Sequence, residues 1–170
     1  EGSGQGITTI ECACSNGNED AAAVISATAI TAEIRHLTIN NTGGGNNLSI
    51  GVYTDGVADG SFSMLHVTAT ATGGTFSFGV YNESSSPSMN NVTATATATG
   101  GTKALGVYNT DSTVKIRNSS LTGTRATDDN LSIETNGQQA AYLADSMLDG
   151  LRDGNGIFCF GVYDESFAQI

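Results

Sequence analysis

The chain has 170 residues, enough for one domain, and an uneven composition: 22 glycines, one proline, no tryptophan and 14% charged residues. A net charge of −11 with six Lys and Arg argues against nucleic acid and against insertion at an anionic membrane, since both are held by clustered cations. No apolar run approaches the roughly 20 residues of a membrane-spanning helix, and the acidic, lysine-poor, threonine-rich makeup points to an exported protein, extracellular or at the cell surface.

The chain starts at Glu1 rather than Met, which fits a processed protein or a fragment. Residues 1–30 read as an N-terminal coil. It holds two cysteines, Cys12 and Cys14, and a loop in which Asn16, Asn18 and Asp20 alternate side-chain oxygens around Gly17, a candidate calcium turn. The apolar stretch from Ala21 to Ala32 is rich in Val, Ile and Thr and reads as strand, not as a capping helix.

Residues 31–156 are repetitive. Gly-Val-Tyr starts at Gly51, Gly79, Gly106 and Gly161, at intervals of 28, 27 and 55, so the coil between the last two is expected to carry Leu131-Ser132-Ile133 in the triplet's place. Met89, Ile116 and Leu143 also lie 27 apart, as do Ala94, Leu121 and Leu148. Within a coil the pattern has period two, as in Val67-Thr68-Ala69-Thr70-Ala71-Thr72, which is strand with small apolar residues on one side and threonines on the other. A coil of this length cannot bury its own apolar face, so coils must stack at about 4.8 Å. Parallel strands with right-handed crossovers follow. The expected fold is all-β: one right-handed parallel β-helix of about six coils of roughly 27 residues, closed by a C-terminal coil at residues 157–170.

Several side-chain columns follow from the period. His36 and His66 each precede an apolar strand start, and Asn91, Asn118 and Asp145 continue their column. These are the non-glycine residue types that tolerate positive φ, so the column reads as a stacked corner, with a metal or catalytic His pair as the alternative. Outward threonines, among them Thr68, Thr70, Thr93 and Thr95, form an array resembling the Thr-x-Thr faces of ice-binding solenoids; such a face suits an exposed strand and can also pack on sugar or protein. Tyr53, Tyr81, Tyr108 and Tyr163 follow an inward valine and are expected to form an outward stacking ladder. Asp149 and Asp153, spaced by Gly150, are a second candidate calcium turn; no other cofactor is expected. Asn-x-Ser/Thr sequons begin at Asn40, Asn47, Asn82, Asn91, Asn118 and Asn130.

Cys159 lies between Phe158 and Phe160, five to six coils from Cys12 and Cys14, or about 24 to 29 Å at the interstrand spacing. That exceeds the roughly 4.4 to 6.8 Å between Cα atoms that a disulfide spans. Cys159 is therefore expected either to pair with Cys12 or Cys14 of a stacked neighbour or to sit as a buried apolar residue.

The segment from Gly79 to Thr102, with Ser86-Pro87-Ser88-Met89-Asn90-Asn91-Val92 at its centre, resembles the coils of bacterial right-handed parallel β-helix repeat proteins. Those coils read approximately Gly-Val-Tyr-Asn, Ser-Ser-Pro-x-Met-x-Asn-Val-Thr-Ala-Thr-Ala and Gly-Gly-Thr. The resemblance extends to Glu1-Gly2-Ser3-Gly4-Gln5-Gly6 and to Cys159-Phe160-Gly161-Val162-Tyr163, and more distantly to pectin-esterase-like helices. It implies a secreted or surface location and no particular activity.

No paired carboxylates, nor a carboxylate with Arg or Lys, stand in the arrangement a carbohydrate-active enzyme on this fold needs, so no enzymatic activity is expected. The leading expectation is a structural protein that stacks head to tail with copies of itself through open strand edges. The alternative is an adhesin-like or tailspike-like module that binds polysaccharide or another surface protein.

Overall fold

The computed structural model describes residues 8–14, 22–27, 31–43, 47–57, 61–137, 139–164 and 166–170. Every ladder between its strands is parallel, and the coils wind into a β-solenoid of about five turns, with no helix among the described residues.

Each coil has three faces. The first is built from residues 32–35 of β3 (Ala32–Asn41), 62–65 of β5 (Phe62–Thr72) and 88–90 of β7 (Ser88–Thr97), then β9 (Val114–Arg117), β12 (Ala141–Ala144) and β15 (Ile157–Phe160). The second starts with β1 (Thr8–Cys12), takes the later halves of β3, β5 and β7, and continues through β10 (Ser120–Thr124), β13 (Met147–Asp149) and β16 (Tyr163–Asp164). The third is a six-stranded sheet of β2 (Ala22–Ala27), β4 (Leu48–Asp55), β6 (Phe76–Glu83), β8 (Lys103–Thr110), β11 (Asp129–Asn136) and β14 (Leu151–Gly154).

The first and second faces meet at a column of left-handed residues. His36, His66, Asn91, Asn118 and Asp145 all have positive φ, between 48° and 53°, and Gly161 continues the column at 59°. The structural corner read from the sequence is present, and the stacked rings of His36 and His66, 5.0 Å apart, belong to it. A serine follows the corner residue in the later coils. Ser119 Oγ donates to the Arg117 carbonyl (2.6 Å) and accepts from the Val92 amide (3.0 Å) of the preceding coil; Ser146 Oγ does the same with Ala144 (2.8 Å) and the Ser119 amide (3.2 Å). These buried hydroxyls replace strand pairing where the chain bends and give the Val92 and Ser119 amides a partner.

The interior is filled by in-register columns: Met64, Met89, Ile116 and Leu143 from the first face, Ile39, Ala69, Ala94, Leu121 and Leu148 from the second, and Val52, Val80, Val107 and Ile133 from the third. Gly-Val-Tyr has a distinct use for each residue. A Cβ on Gly79 would lie 2.8 Å from the Thr95 amide nitrogen and one on Gly106 2.7 Å from that of Thr122, so glycine lets the second and third faces touch backbone to backbone. The valine is core. Where Leu131-Ser132-Ile133 takes over in the register expected, Ser132 replaces glycine and Gly150 opposite it supplies the space. Thr54, Asn82 and Asn109 form a buried polar ladder one residue beyond the tyrosines, with Thr54 Oγ1 donating to Asn82 Oδ1 at 2.9 Å. The sequon asparagine Asn82 is thereby enclosed in the fold.

Two expectations are corrected. The fourth triplet, Gly161-Val162-Tyr163, does not join the other three. Ile157 pairs with Ala141 after only 16 residues, where Ala141 pairs with Val114 after 27, because β13 passes to β14 through Gly150 alone and the turn after β14 is also shortened. Gly161 therefore lands on the left-handed corner, Val162 in the core, and Tyr163 beside Met147 on the second face. The C-terminal edge of the second face is also not open. The tail folds back so that Tyr163 bridges Gln169 antiparallel and the Ile170 amide bonds the Val162 carbonyl at 3.0 Å. Asp164 Oδ1 fastens this turn, accepting from Ser166 Oγ (2.7 Å) and from the amides of Ser166 and Ala168 (2.9 Å each), and these hydrogen bonds hold its carboxyl below the usual carboxylate range.

Candidate functional site

The outer side of the first face changes character along the solenoid. Alternation in Val114-Lys115-Ile116-Arg117, Ala141-Tyr142-Leu143-Ala144 and Ile157-Phe158-Cys159-Phe160 sends the second and fourth residue of each segment outward. Parallel register then makes two outward columns. One runs Glu33, Ser63, Ser88, Lys115, Tyr142, Phe158, the other Arg35, Leu65, Asn90, Arg117, Ala144, Phe160. The Tyr142 and Phe158 rings stack at 5.2 Å and 14°. Phe158 and Phe160 are 56% and 78% exposed, and with Lys115, Arg117 and Ala144 they line a groove of about 500 Å³.

A second groove of about 560 Å³ follows the left-handed corner, between Asn118 and Asp145 on one side and Met147, Tyr163 and Phe167 on the other. The two grooves adjoin across this corner. Together they gather the exposed aromatics of the last coils on adjacent faces.

The other expected residues are placed as follows. The threonine columns stand in the register read from the sequence: Thr38, Thr68, Thr93 and Ser120 in one, Asn40, Thr70, Thr95 and Thr122 in the next. Most are half-buried among their neighbours. Tyr53, Tyr81 and Tyr108 point outward from the third face, 5.1 and 5.0 Å apart, but do not form an exposed ladder. Tyr53 is 5% exposed, and all three pack on a second apolar cluster of Ile50, Phe78, Leu105 and Leu131. The physical reason is that Ile50, Phe78 and Leu105 share the outer side of that sheet, so the tyrosine rings lie down on them to remove apolar surface from water. On this face Lys103 bonds Glu134 and lies near Asp129 and Tyr108. Burial works against its charge, yet the hydrogen bond and charge of Glu134, with Asp129 and Tyr108, outweigh it and raise its pKa above the usual lysine value.

Cys12 and Cys14 form a disulfide with each other, their Cα atoms 5.2 Å apart, which removes both as partners for Cys159 of a neighbour. Residues two apart on an extended chain lie on the same side, and the chain bends after β1 to bring them within reach. Cys159 is free, sits in the inward column after Leu143, packs on the core, and accepts a contact from Arg152 Nη1 at 3.1 Å. Asp149 stands in the threonine column beside Thr122, while Asp153 Oδ1 accepts from the Gly154 amide at 2.7 Å. Asn16, Asn18 and Asp20 lie outside the described residues. Among the described residues no three His, Cys, Asp or Glu side chains gather as a metal site would require.

The sequence reading missed Lys115, Arg117, Tyr142, Phe158 and Phe160. The signal was available for the first three, since Lys115 and Tyr142 are 27 apart and alternate with core residues. For the phenylalanines it was masked by the shortened last coil. No family model, curated protein or solved structure matches this chain.

Proposed function

We propose that this chain is an exported, non-enzymatic β-solenoid module that binds an extended carbohydrate or cell-surface polymer along the outer side of its C-terminal half, and that it belongs with the bacterial β-helix repeat proteins its Gly-Val-Tyr coils resemble. The observation that carries this reading is the distribution of exposed aromatics. Among the described residues, the exposed large apolar side chains are Phe76 and then Tyr142, Leu151, Phe158, Phe160, Tyr163, Phe167 and Ile170, all but one in the last coils. Exposed apolar groups concentrated beside polar rims mark interaction surfaces, and aromatic rings are the side chains that stack on sugar rings. The residues that could have suggested chemistry serve the fold: the histidines make the corner, and the buried Asn and Ser side chains bridge coils.

Affinity electrophoresis of the chain through gels containing a panel of neutral and acidic polysaccharides tests this. Retardation by at least one polymer, lost in the Phe158→Ala, Phe160→Ala double variant, is expected; free migration through every gel would contradict it.

A second reading, end-to-end association of copies, is favoured by the outer edges of β14 and β15, which carry no further strand among the described residues. It has lost the cysteine cross-link and one of its three edges. Sedimentation velocity at rising concentration separates the two readings, with a monomer expected for the binding module and growing species for the stacking one.

A further inference from the structure

The two outward columns of the first face differ at one place. In the first, Lys115, Tyr142 and Phe158 succeed one another coil by coil; in the second, Ala144 stands between Arg117 and Phe160. Three strands span two interstrand steps, so Arg117 and Phe160 are separated by about 9.6 Å along the solenoid axis with only a methyl group between them. The missing side chain leaves a notch one ring thick. Its floor is Ala144, its flank the stacked Tyr142 and Phe158 rings, and its two walls a guanidinium and a phenyl.

Charge marks this notch out. The chain carries six Lys and Arg against 17 Asp and Glu, yet the two outward columns hold three of those cations, Arg35, Lys115 and Arg117, and one of the acids, Glu33, which Arg35 engages at 3.3 Å. Arg152 approaches the same end through its contact with Cys159. The acid nearest in sequence, Asp145, turns out at the left-handed corner and lines the other groove. A strongly acidic protein has therefore placed half of its cations on one outer face, and two of them, Lys115 and Arg117, stand beside exposed aromatics.

We propose that the notch over Ala144 is the subsite for a carboxylate-bearing pyranose of an acidic polysaccharide. The sugar ring enters edge-on between Arg117 and Phe160, about 4.8 Å from each, and stacks on the phenyl, while its carboxylate takes the Arg117 guanidinium in a charge-assisted pair. Neighbouring sugars of the polymer continue over Tyr142 and Phe158. This inference rests on the binding-module reading and gives it a ligand class.

Alginate and carboxyl-reduced alginate, which keeps the sugar rings and lacks the charge, separate the inference from that reading. Titration calorimetry of the whole chain is expected to show alginate binding that is weakened about tenfold or more by carboxyl reduction and by Arg117→Gln, the loss expected for one charge-assisted hydrogen bond. Ala144→Leu, which fills the notch, is expected to abolish it. Both variants change outward side chains, and circular dichroism with thermal melting checks that each is folded; an Arg117→Lys variant that recovers part of the affinity replaces Arg117→Gln if that chain is not folded. Equal affinity for the two polymers, or alginate binding untouched by Ala144→Leu, overturns the inference and leaves the binding module standing. Binding to neither, with no retardation by any polymer in the electrophoresis panel, overturns both.

Discussion

Glycine and the left-handed residues determine where the coils bend and touch. Gly106 carries no Cβ because the backbones of Ser132 and Thr122 occupy the space, with atoms of each 2.7 Å from where it would stand. Gly106→Ala is accordingly expected to lose about 1–3 kcal/mol by forcing two faces apart, measured by urea unfolding. At the corner, His66 has φ of 52°, where a β-branched side chain is strongly disfavoured. His66→Val should be about 1–2 kcal/mol less stable than His66→Gly, a difference that a metal-binding role for the histidine would not produce. This column was legible because His, Asn and Asp recur at one place in the repeat. The serine behind it was not, because a Ser in a chain so rich in Ser and Thr gives no sign of being buried until its neighbour's backbone amide is seen to need a partner.

At the scale of strands and ladders, the hydroxyl bridges connect coils where pairing lapses. Ser119→Ala removes the acceptor for the buried Val92 amide, and an unsatisfied buried donor costs about 1–3 kcal/mol; equilibrium unfolding of this variant against wild type measures it. On the third face the Lys103 ammonium, held above its ordinary pKa by Glu134, stabilises the fold fully below the usual lysine value and loses that contribution as pH rises through the raised one. Lys103→Met should flatten the alkaline limb of a stability-against-pH curve, and an unchanged limb would show the pair to be inert. Strand register was readable because each inward column stays apolar from coil to coil, even where its size changes from Ile39 to Ala69 and Ala94 and back to Leu121. The position of the last triplet was not: Gly161-Val162-Tyr163 copies the earlier motif letter for letter, and only the 16-residue step from Ala141 to Ile157 moves it from one face to another. A repeated motif fixes local alternation, whereas its place in the solenoid depends on the length of every coil before it.

For the molecule as a whole, the cysteines and the tail change what the ends can do. Native chain titrated with a thiol reagent should show one free thiol, Cys159, and three after reduction, with no reducible ladder of oligomers. Three thiols before reduction would show Cys12 and Cys14 unjoined, whereas a ladder that collapses with reductant would restore the cross-linked filament. With Cys12 and Cys14 joined and the tail folded over β16, we propose the outer side of the last coils as the surface that takes a partner. Amide hydrogen exchange tests that most directly, with and without the polymer that retards the chain. Added protection is expected in residues 114–117, 141–145 and 157–160, with the threonine strand at 93–97 unchanged. Protection confined to the threonine strand, or none anywhere, would contradict the assignment of binding to the aromatic and basic face.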